Sequence, residues 1–273
     1  MRKPFGRIGS KTYIAKYIIS HFPNDYENMN YIEPFCGSGA IYWAKKPTTK
    51  ERIEVLNDID SNLIHAFENI KIINISDIPE DYKQIYKKYE ESDDLLTNFY
   101  KSLDINTDKP LDIFVKNIVQ YNFTYCSIGV RKAYSTKILI NNKKQGSISG
   151  KVPLIPKYQE RMKNTVFTTF DYKDIIVKYD SPNALFYLDP PYEKSNKHKL
   201  YSTINKEFDF NELYNILKNI KGKFILSIND SELIRNIFSE CPRFNIIPFV
   251  VKAHSNNKHI GGKDRNELLI KNF

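Results

Sequence analysis

Short apolar runs separated by polar turns recur at both ends of the chain, with the length and composition of strands rather than helices. Five stand out: Tyr31-Ile32-Glu33-Pro34-Phe35, Arg52-Ile53-Glu54-Val55-Leu56-Asn57, Thr165-Val166-Phe167-Thr168-Thr169-Phe170, Ala184-Leu185-Phe186-Tyr187-Leu188 and Lys223-Phe224-Ile225-Leu226-Ser227-Ile228. Helical patterns follow the second, from about Asp60 to Asn69, and the fifth, from near Asp230-Ser231-Glu232. Two further strand patterns, 244–251 and 267–271, flank a polar turn at Gly261-Gly262 and read as a hairpin. Strands alternating with helices imply parallel pairing. The expected fold is α/β: a doubly wound, mostly parallel seven-strand sheet with a C-terminal antiparallel hairpin.

The rhythm stops between Asp77 and Lys163, which predicts an inserted, mainly helical domain over 77–163 between the two parts of a sheet domain, 1–76 and 164–273. The first half of the insert is acidic, with Glu80, Asp81, Glu90, Glu91, Asp93 and Asp94. Its second half carries Arg131, Lys132, Lys137, Lys143, Lys144, Lys151, Lys157, Arg161 and Lys163, with Glu160 the only acid after Tyr121. A charge run is ordinarily a solvated face. Here it is interleaved with Tyr121, Phe123, Tyr125, Tyr134 and Tyr158, in a segment the sheet does not need, which favours a nucleic-acid surface.

Composition supports that direction without proving it. The 273 residues include 41 Lys and Arg against 32 Asp and Glu, a net charge of +9 that favours a polyanionic partner. Cys36, Cys126 and Cys241 are far apart, and His254 and His259 lie in a polar loop without cysteine companions, so no metal site is expected. No apolar run follows Met1-Arg2-Lys3-Pro4-Phe5-Gly6, and no stretch reaches the length of a membrane span. The expectation is a soluble, cytoplasmic protein that is not secreted.

Candidate chemistry concentrates where the fourth strand ends, at Asp189-Pro190-Pro191-Tyr192. Two prolines cannot continue a strand or a helix, so the backbone is stopped and held stiffly. A carboxylate, two fixed carbonyls and an aromatic ring then stand at a strand's carboxyl end, where open α/β sheets bind ligands. The set suits gripping a flat base by its amino group while a ring stacks on its face; locally it also reads as a plain turn with a surface Asp and Tyr.

The first strand leads into Glu33-Pro34-Phe35-Cys36-Gly37-Ser38-Gly39-Ala40, where Gly37 and Gly39 let the backbone pass close under a ligand. Asp58, in Asn57-Asp58-Ile59-Asp60, follows the glycines by about twenty residues, the separation at which an acid takes ribose hydroxyls. It could instead cap a helix, a role Asp60 fits better. The third glycine of a dinucleotide fingerprint is missing, so a mononucleoside-like cofactor such as S-adenosylmethionine fits better than a nicotinamide. Gly9-Ser10-Lys11 can supply amides and a cation for that cofactor's carboxylate, or can simply start a helix with a solvated Lys.

The order Gly9-Ser10-Lys11, then 33–39, Asn57-Asp58-Ile59-Asp60, a long insert and Asp189-Pro190-Pro191-Tyr192 resembles the Dam-type adenine-specific DNA methyltransferases over nearly the whole chain. Thr169-Phe170-Asp171-Tyr172, Ser227-Ile228-Asn229-Asp230 and Glu267-Leu268-Leu269-Ile270 resemble later segments of that family. Ser10 stands where the family commonly has a second glycine, and Arg7 where it has an aromatic residue. The resemblance implies a methyltransferase-type sheet and transfer of the sulfonium methyl to N6 of a flipped adenine in double-stranded DNA. It implies catalytic roles for Asp189, Pro190 and Tyr192. Cofactor contacts are implied for Arg7, Lys11, Phe35, Gly37, Gly39, Asp58, Phe170, Asp171 and Asp189.

DNA contacts are expected at Tyr125, Arg131, Lys132, Tyr134 and Lys137 in the insert and at Lys197 in the loop Glu193-Lys194-Ser195-Asn196-Lys197-His198-Lys199, which reads equally as a surface loop. No metal and no protein partner is required. Tyr192→Phe, which keeps the stacking face, is expected to be mild. An RNA base methyltransferase, a DNA-binding module with an inactive cofactor fold, and a nicotinamide dehydrogenase remain as alternative readings.

Overall fold

In the computed structural model, which describes residues 1–7, 9–103, 107–123, 147–193, 208–252 and 264–273, the apolar runs become seven strands. They are β1 (Asn30–Glu33), β2 (Glu54–Asn57), β3 (Thr165–Thr168), β4 (Ala184–Leu188), β5 (Lys223–Asn229), β6 (Asn245–Val251) and β7 (Arg265–Lys271). Together they form one mixed seven-stranded sheet. The chain folds as two compact units, one from residues 1–13, 37–44 and 60–169, the other from 14–36, 45–59 and 170–273.

The second unit holds six strands in the order β2-β1-β4-β5-β7-β6. The β1–β2, β1–β4 and β4–β5 pairs are parallel, and β7 runs antiparallel to both β5 and β6. The C-terminal hairpin expected from the sequence is therefore present as a ladder, while its Gly261-Gly262 turn lies outside the described residues. β4 is buried along its whole length, as a continuous apolar run implies. Its alternate residues Ala184, Phe186 and Leu188 join Ile32, Val55, Phe224, Leu226, Ile228 and Leu268 in one core.

The helices over that face complete the core. Phe210–Lys218 contributes Phe210, Leu213, Tyr214 and Leu217, and Glu232–Ser239 contributes Ile234, Ile237 and Phe238, both at helical spacing. Burying each such Leu or Phe contributes about 1.5–3 kcal/mol. Ser231 starts the latter helix by accepting from Ile234 N. Strand order reverses between β1's neighbours β2 and β4, so this unit contains a switch point of the kind at which open sheets bind ligands.

The first unit is mainly helical, and the described part of 77–163 lies within it. In Ser61–Lys71, Leu63, Ile64, Phe67 and Ile70 make a buried stripe, and Asp60 caps the helix at Leu63 N. Pro110–Asn122 begins on its proline and buries Leu111, Phe114, Val115, Ile118 and Val119. Phe5 packs among Phe67, Phe114 and Tyr121 with ring centroids 5.4–6.0 Å apart, and Gly6 N donates to Asn122 Oδ1 at 2.6 Å. These contacts fix the path of the N-terminal segment. Among the described residues, no helix is long and apolar enough to cross a membrane.

Several aromatic residues of the basic insert belong to this core. Tyr121, Phe123 and Tyr158 are buried, and Tyr158 packs on Trp43 at 5.4 Å. The Arg161 guanidinium lies 3.7 Å from the centre of the Tyr42 ring and donates to Tyr42 O. The surface expected from these positions is thus corrected: their apolar rings gain more by leaving water than by facing a polyanion.

Candidate active site

In the second unit, Asn57 at the end of β2 organises the neighbouring chain ends. Its Nδ2 donates to Pro34 O and Phe170 O, both at 2.9 Å, while its Oδ1 accepts from Phe170 N at 2.9 Å. Its main-chain oxygen accepts from Cys36 N at 2.8 Å. One buried amide thereby fixes the exit of β1 and the backbone of Phe170, a residue that stays 52% exposed. An exposed ring on an immobilised backbone is a ready stacking platform. Sequence reasoning gave Asn57 no role; its place at a strand end beside Asp58 was the only signal.

Asp58 is buried, and Phe35 packs on Tyr172 and Phe208 at 5.0 and 5.7 Å. Asp171 caps the helix Tyr172–Tyr179, accepting from Lys173 N at 3.0 Å. Tyr172 donates to Glu212 at 3.2 Å. Burial and that carboxylate raise the Tyr172 phenol pKa above its ordinary value.

At the end of β4, Asp189-Pro190-Pro191-Tyr192 is tied to the sheet from the far side of the chain. Tyr192 OH donates to Glu267 Oε2 at 3.0 Å, and Glu193 N donates to Asn229 Oδ1 at 3.3 Å. Asn229 and Glu267 are themselves paired across β5 and β7. The post-proline turn is therefore held by two adjacent strands. Tyr192 rests partly buried against the apolar core, so the hydroxyl is engaged while the ring keeps some exposure.

Carboxylates converge here. Burial first, then Asp189, Glu33 and Glu267, raise the pKa of the buried Tyr187 phenol, against the lowering effect of its bond to Ser227 Oγ at 2.8 Å. Burial, Asp189 and Glu267 likewise raise that of Tyr192. Glu33 is buried and accepts from Tyr31 OH at 2.6 Å. Three acids near one phenol make a negative potential at this end of the sheet, which favours a cation.

The first unit holds the glycine turn and the N-terminal cations. Gly37 and Gly39 have φ of 48° and 65°, the left-handed region that favours glycine. A Cβ on Gly39 would also lie 3.1 Å from Trp43 Nε1, whereas one on Gly37 would meet nothing nearer than Arg7 Cδ at 3.7 Å. Backbone conformation is thus a requirement for glycine at Gly37. Arg7 pairs with Asp60 at 2.8 Å, so the helix-capping carboxylate also receives a guanidinium. Lys11 is buried. Tyr125, Arg131, Lys132, Tyr134, Lys137 and Lys197 lie outside the described residues. Among those described, no group of His, Cys, Asp and Glu could hold a metal ion.

Comparison with known proteins identifies the family. The model of the D12 class of N6 adenine-specific DNA methyltransferases matches residues 8–254. The chain is 25% identical to the type II methyltransferase M.MjaIII of Methanocaldococcus jannaschii over 297 aligned positions, covering 99% of each chain.

Proposed function

The chain belongs to the D12 class of N6 adenine-specific DNA methyltransferases, and we propose that it takes the methyl group from S-adenosylmethionine and acts on an adenine flipped out of double-stranded DNA. The observation that carries this reading is the position of Asp189-Pro190-Pro191-Tyr192: it closes the buried central strand β4, next to the switch point, with its ring tied to Glu267. S-adenosylmethionine supplies an electrophilic methyl on a sulfonium. The donor set fits it: Glu33, Asp189 and Glu267 favour the cation, Asp58 suits ribose hydroxyls, and Phe170 offers a face for adenine.

Adenine N6 is a poor nucleophile because its lone pair is delocalised into the ring. The Asp189 carboxylate and the Pro190 carbonyl accept its two hydrogens and draw it towards tetrahedral geometry, so the lone pair is aimed for in-line attack. Asp189 need not be a strong base, because the protonated product nitrogen is itself acidic. Tyr192 stacks on the extruded ring. Phe35, Asp171, Arg7, Lys11, Gly37 and Gly39 complete the cofactor contacts. Arg7 is already committed to Asp60, so its contribution is to shape the glycine turn.

Target recognition falls to the insert 77–163, with 1–76 and 164–273 forming the catalytic domain. Within it Arg131 reads a base through its guanidinium, and Lys132 and Lys137 contact phosphates. Tyr125 and Tyr134 supply rings for stacking, and Lys197 a phosphate contact beside the extruded base. The relative's designation as a type II methyltransferase supports a place in a restriction–modification system, acting on DNA in the cytoplasm.

The test is to express the chain in cells lacking adenine methylation and sequence their DNA with modified-base detection. N6-methyladenine at one defined sequence is expected, and none with Asp189→Ala. Unmodified DNA from cells containing the folded wild-type protein, together with no methyl incorporation in vitro, would overturn the reading.

A further inference from the structure

The second unit buries an ion pair that the mechanism does not use. Lys45 pairs with Glu54 of β2, the two side chains being 0% and 7% exposed, and Lys45 also donates to Lys46 O at 3.0 Å. Its ammonium lies 4.2 Å from the centre of the Tyr31 ring. Tyr31 stands opposite Glu54 in the parallel β1–β2 ladder, and its hydroxyl donates to Glu33 Oε1 at 2.6 Å. Tyr31 and Glu33 are two residues apart on one strand and share a face of the sheet, whereas Ile32 between them turns to the apolar core.

Glu54, Lys45, Tyr31 and Glu33 thus form one line of buried groups, which ends at the carboxyl end of the sheet, where Glu33 acts on Tyr187. Folding alone does not call for such a line. A buried ion pair gains little over apolar side chains of the same volume, because both charges give up their hydration. Each link nevertheless acts in one direction. A cation over the ring face withdraws electron density from Tyr31 and makes its O–H a stronger donor, and linked polar groups strengthen one another where the dielectric is low. Burial, then Glu33, raises the Tyr31 phenol pKa well above its ordinary value, so the hydrogen stays on Tyr31 and Glu33 stays the acceptor. A hydrogen bond of this kind favours the ionised carboxylate and fixes its orientation.

We propose that Tyr31, backed by the Lys45–Glu54 pair, is a positioning residue: it holds Glu33 charged and in place for the positive charge of the cofactor, without touching the cofactor itself. The inference rests on the cofactor reading above and gives a use to three buried residues behind the site. A purely structural tie would behave differently. Loss of the Tyr31 hydroxyl would then lower stability without distinguishing charged from uncharged ligands.

The experiment is titration calorimetry on the full chain with S-adenosylmethionine and with 5′-methylthioadenosine, an uncharged thioether that keeps adenine and ribose. Tyr31→Phe removes the hydroxyl and keeps the ring under Lys45. It is expected to weaken S-adenosylmethionine about tenfold, the scale of one hydrogen bond to a charged group, and methylthioadenosine by less than about twofold. On a Glu33→Gln background the same change should cost less than about twofold, because the charge it serves is gone. Removing the ion pair as a unit, Lys45→Met with Glu54→Met, leaves no lone buried charge and should show the same selectivity to a lesser degree; its absence there would overturn the part assigned to the pair. Independent losses from Tyr31→Phe and Glu33→Gln, equal loss for both ligands, or no loss for either, in variants whose thermal unfolding is cooperative, would overturn the Tyr31 assignment and leave the cofactor reading standing. Failure of the wild-type protein to bind either ligand would overturn the cofactor reading and this role with it.

Discussion

At the carboxyl end of the second unit's sheet, Glu33, Asp189 and Glu267 all act on the Tyr187 phenol; around the first unit's glycine turns, Lys3 and Lys151 stand without a carboxylate partner among the described residues. One region concentrates negative charge beside phenols, the other positive charge beside hydroxyls. Like charges with reduced hydration raise the energy of the folded state. The contrast is that each region by itself suits a ligand group of the opposite charge. It also says which variants should harm chemistry and which should harm only binding or stability.

The largest effect should come from the acidic region. Asp189→Ala removes the acceptor that orients the amino group and should lower kcat by about a hundredfold or more, with cofactor affinity much less affected. Single-turnover methylation of an adenine duplex checks it, and near-normal turnover would break the acidic side of the comparison.

Next comes the tie behind the motif. Because Tyr192 OH donates to the buried Glu267, Tyr192→Phe should not be mild: it strands a buried acceptor at about 1–3 kcal/mol. We expect reduced kcat and weaker enhancement of 2-aminopurine fluorescence in target duplexes. Glu267→Gln should reproduce much of this, and the double variant should be no worse than the sum. Full activity in Tyr192→Phe would show that stacking alone positions the ring.

A smaller change is expected on the basic side. Asp60→Ala removes a helix cap and the partner of Arg7. The cap is worth about 0.5–2 kcal/mol, and the partly exposed ion pair adds little. Urea unfolding should register that loss, with methylation of saturated DNA nearly unchanged at low temperature.

The gentlest probe is pH. Lys3 and Lys151 titrate near 7 and 8 in the folded protein but near 10.5 when unfolded. Between pH 7 and 9 the unfolded chain therefore binds more protons, and their contribution to stability should rise with pH. Unfolding midpoints for wild type and Lys3→Met over that range isolate it: the variant should show the flatter dependence. Identical slopes would mean that the Lys3 ammonium is better hydrated than its surroundings suggest.

Much of this molecule was decided locally. Ala184–Leu188 and its companion runs are too apolar and too short to be anything but buried strands, and two prolines had to end the fourth. Asp60 before Ser61–Lys71 and Ser231 before Glu232–Ser239 cap as their types and positions dictate, since a cap depends on residues three apart. The sequence by itself thus determined the strands and the caps of these helices. Tertiary structure alone decided the rest. It sent Tyr121, Phe123 and Tyr158 into a core although they sit in a basic stretch, because burial depends on what packs against a ring and not on its neighbours in sequence. It placed Asn57 across three chain ends, tied Tyr192 to a carboxylate 75 residues away, and brought Lys3 to a serine 35 residues on. Such hydrogen bonds leave no periodic trace, since each needs only one donor and one acceptor brought together by the fold.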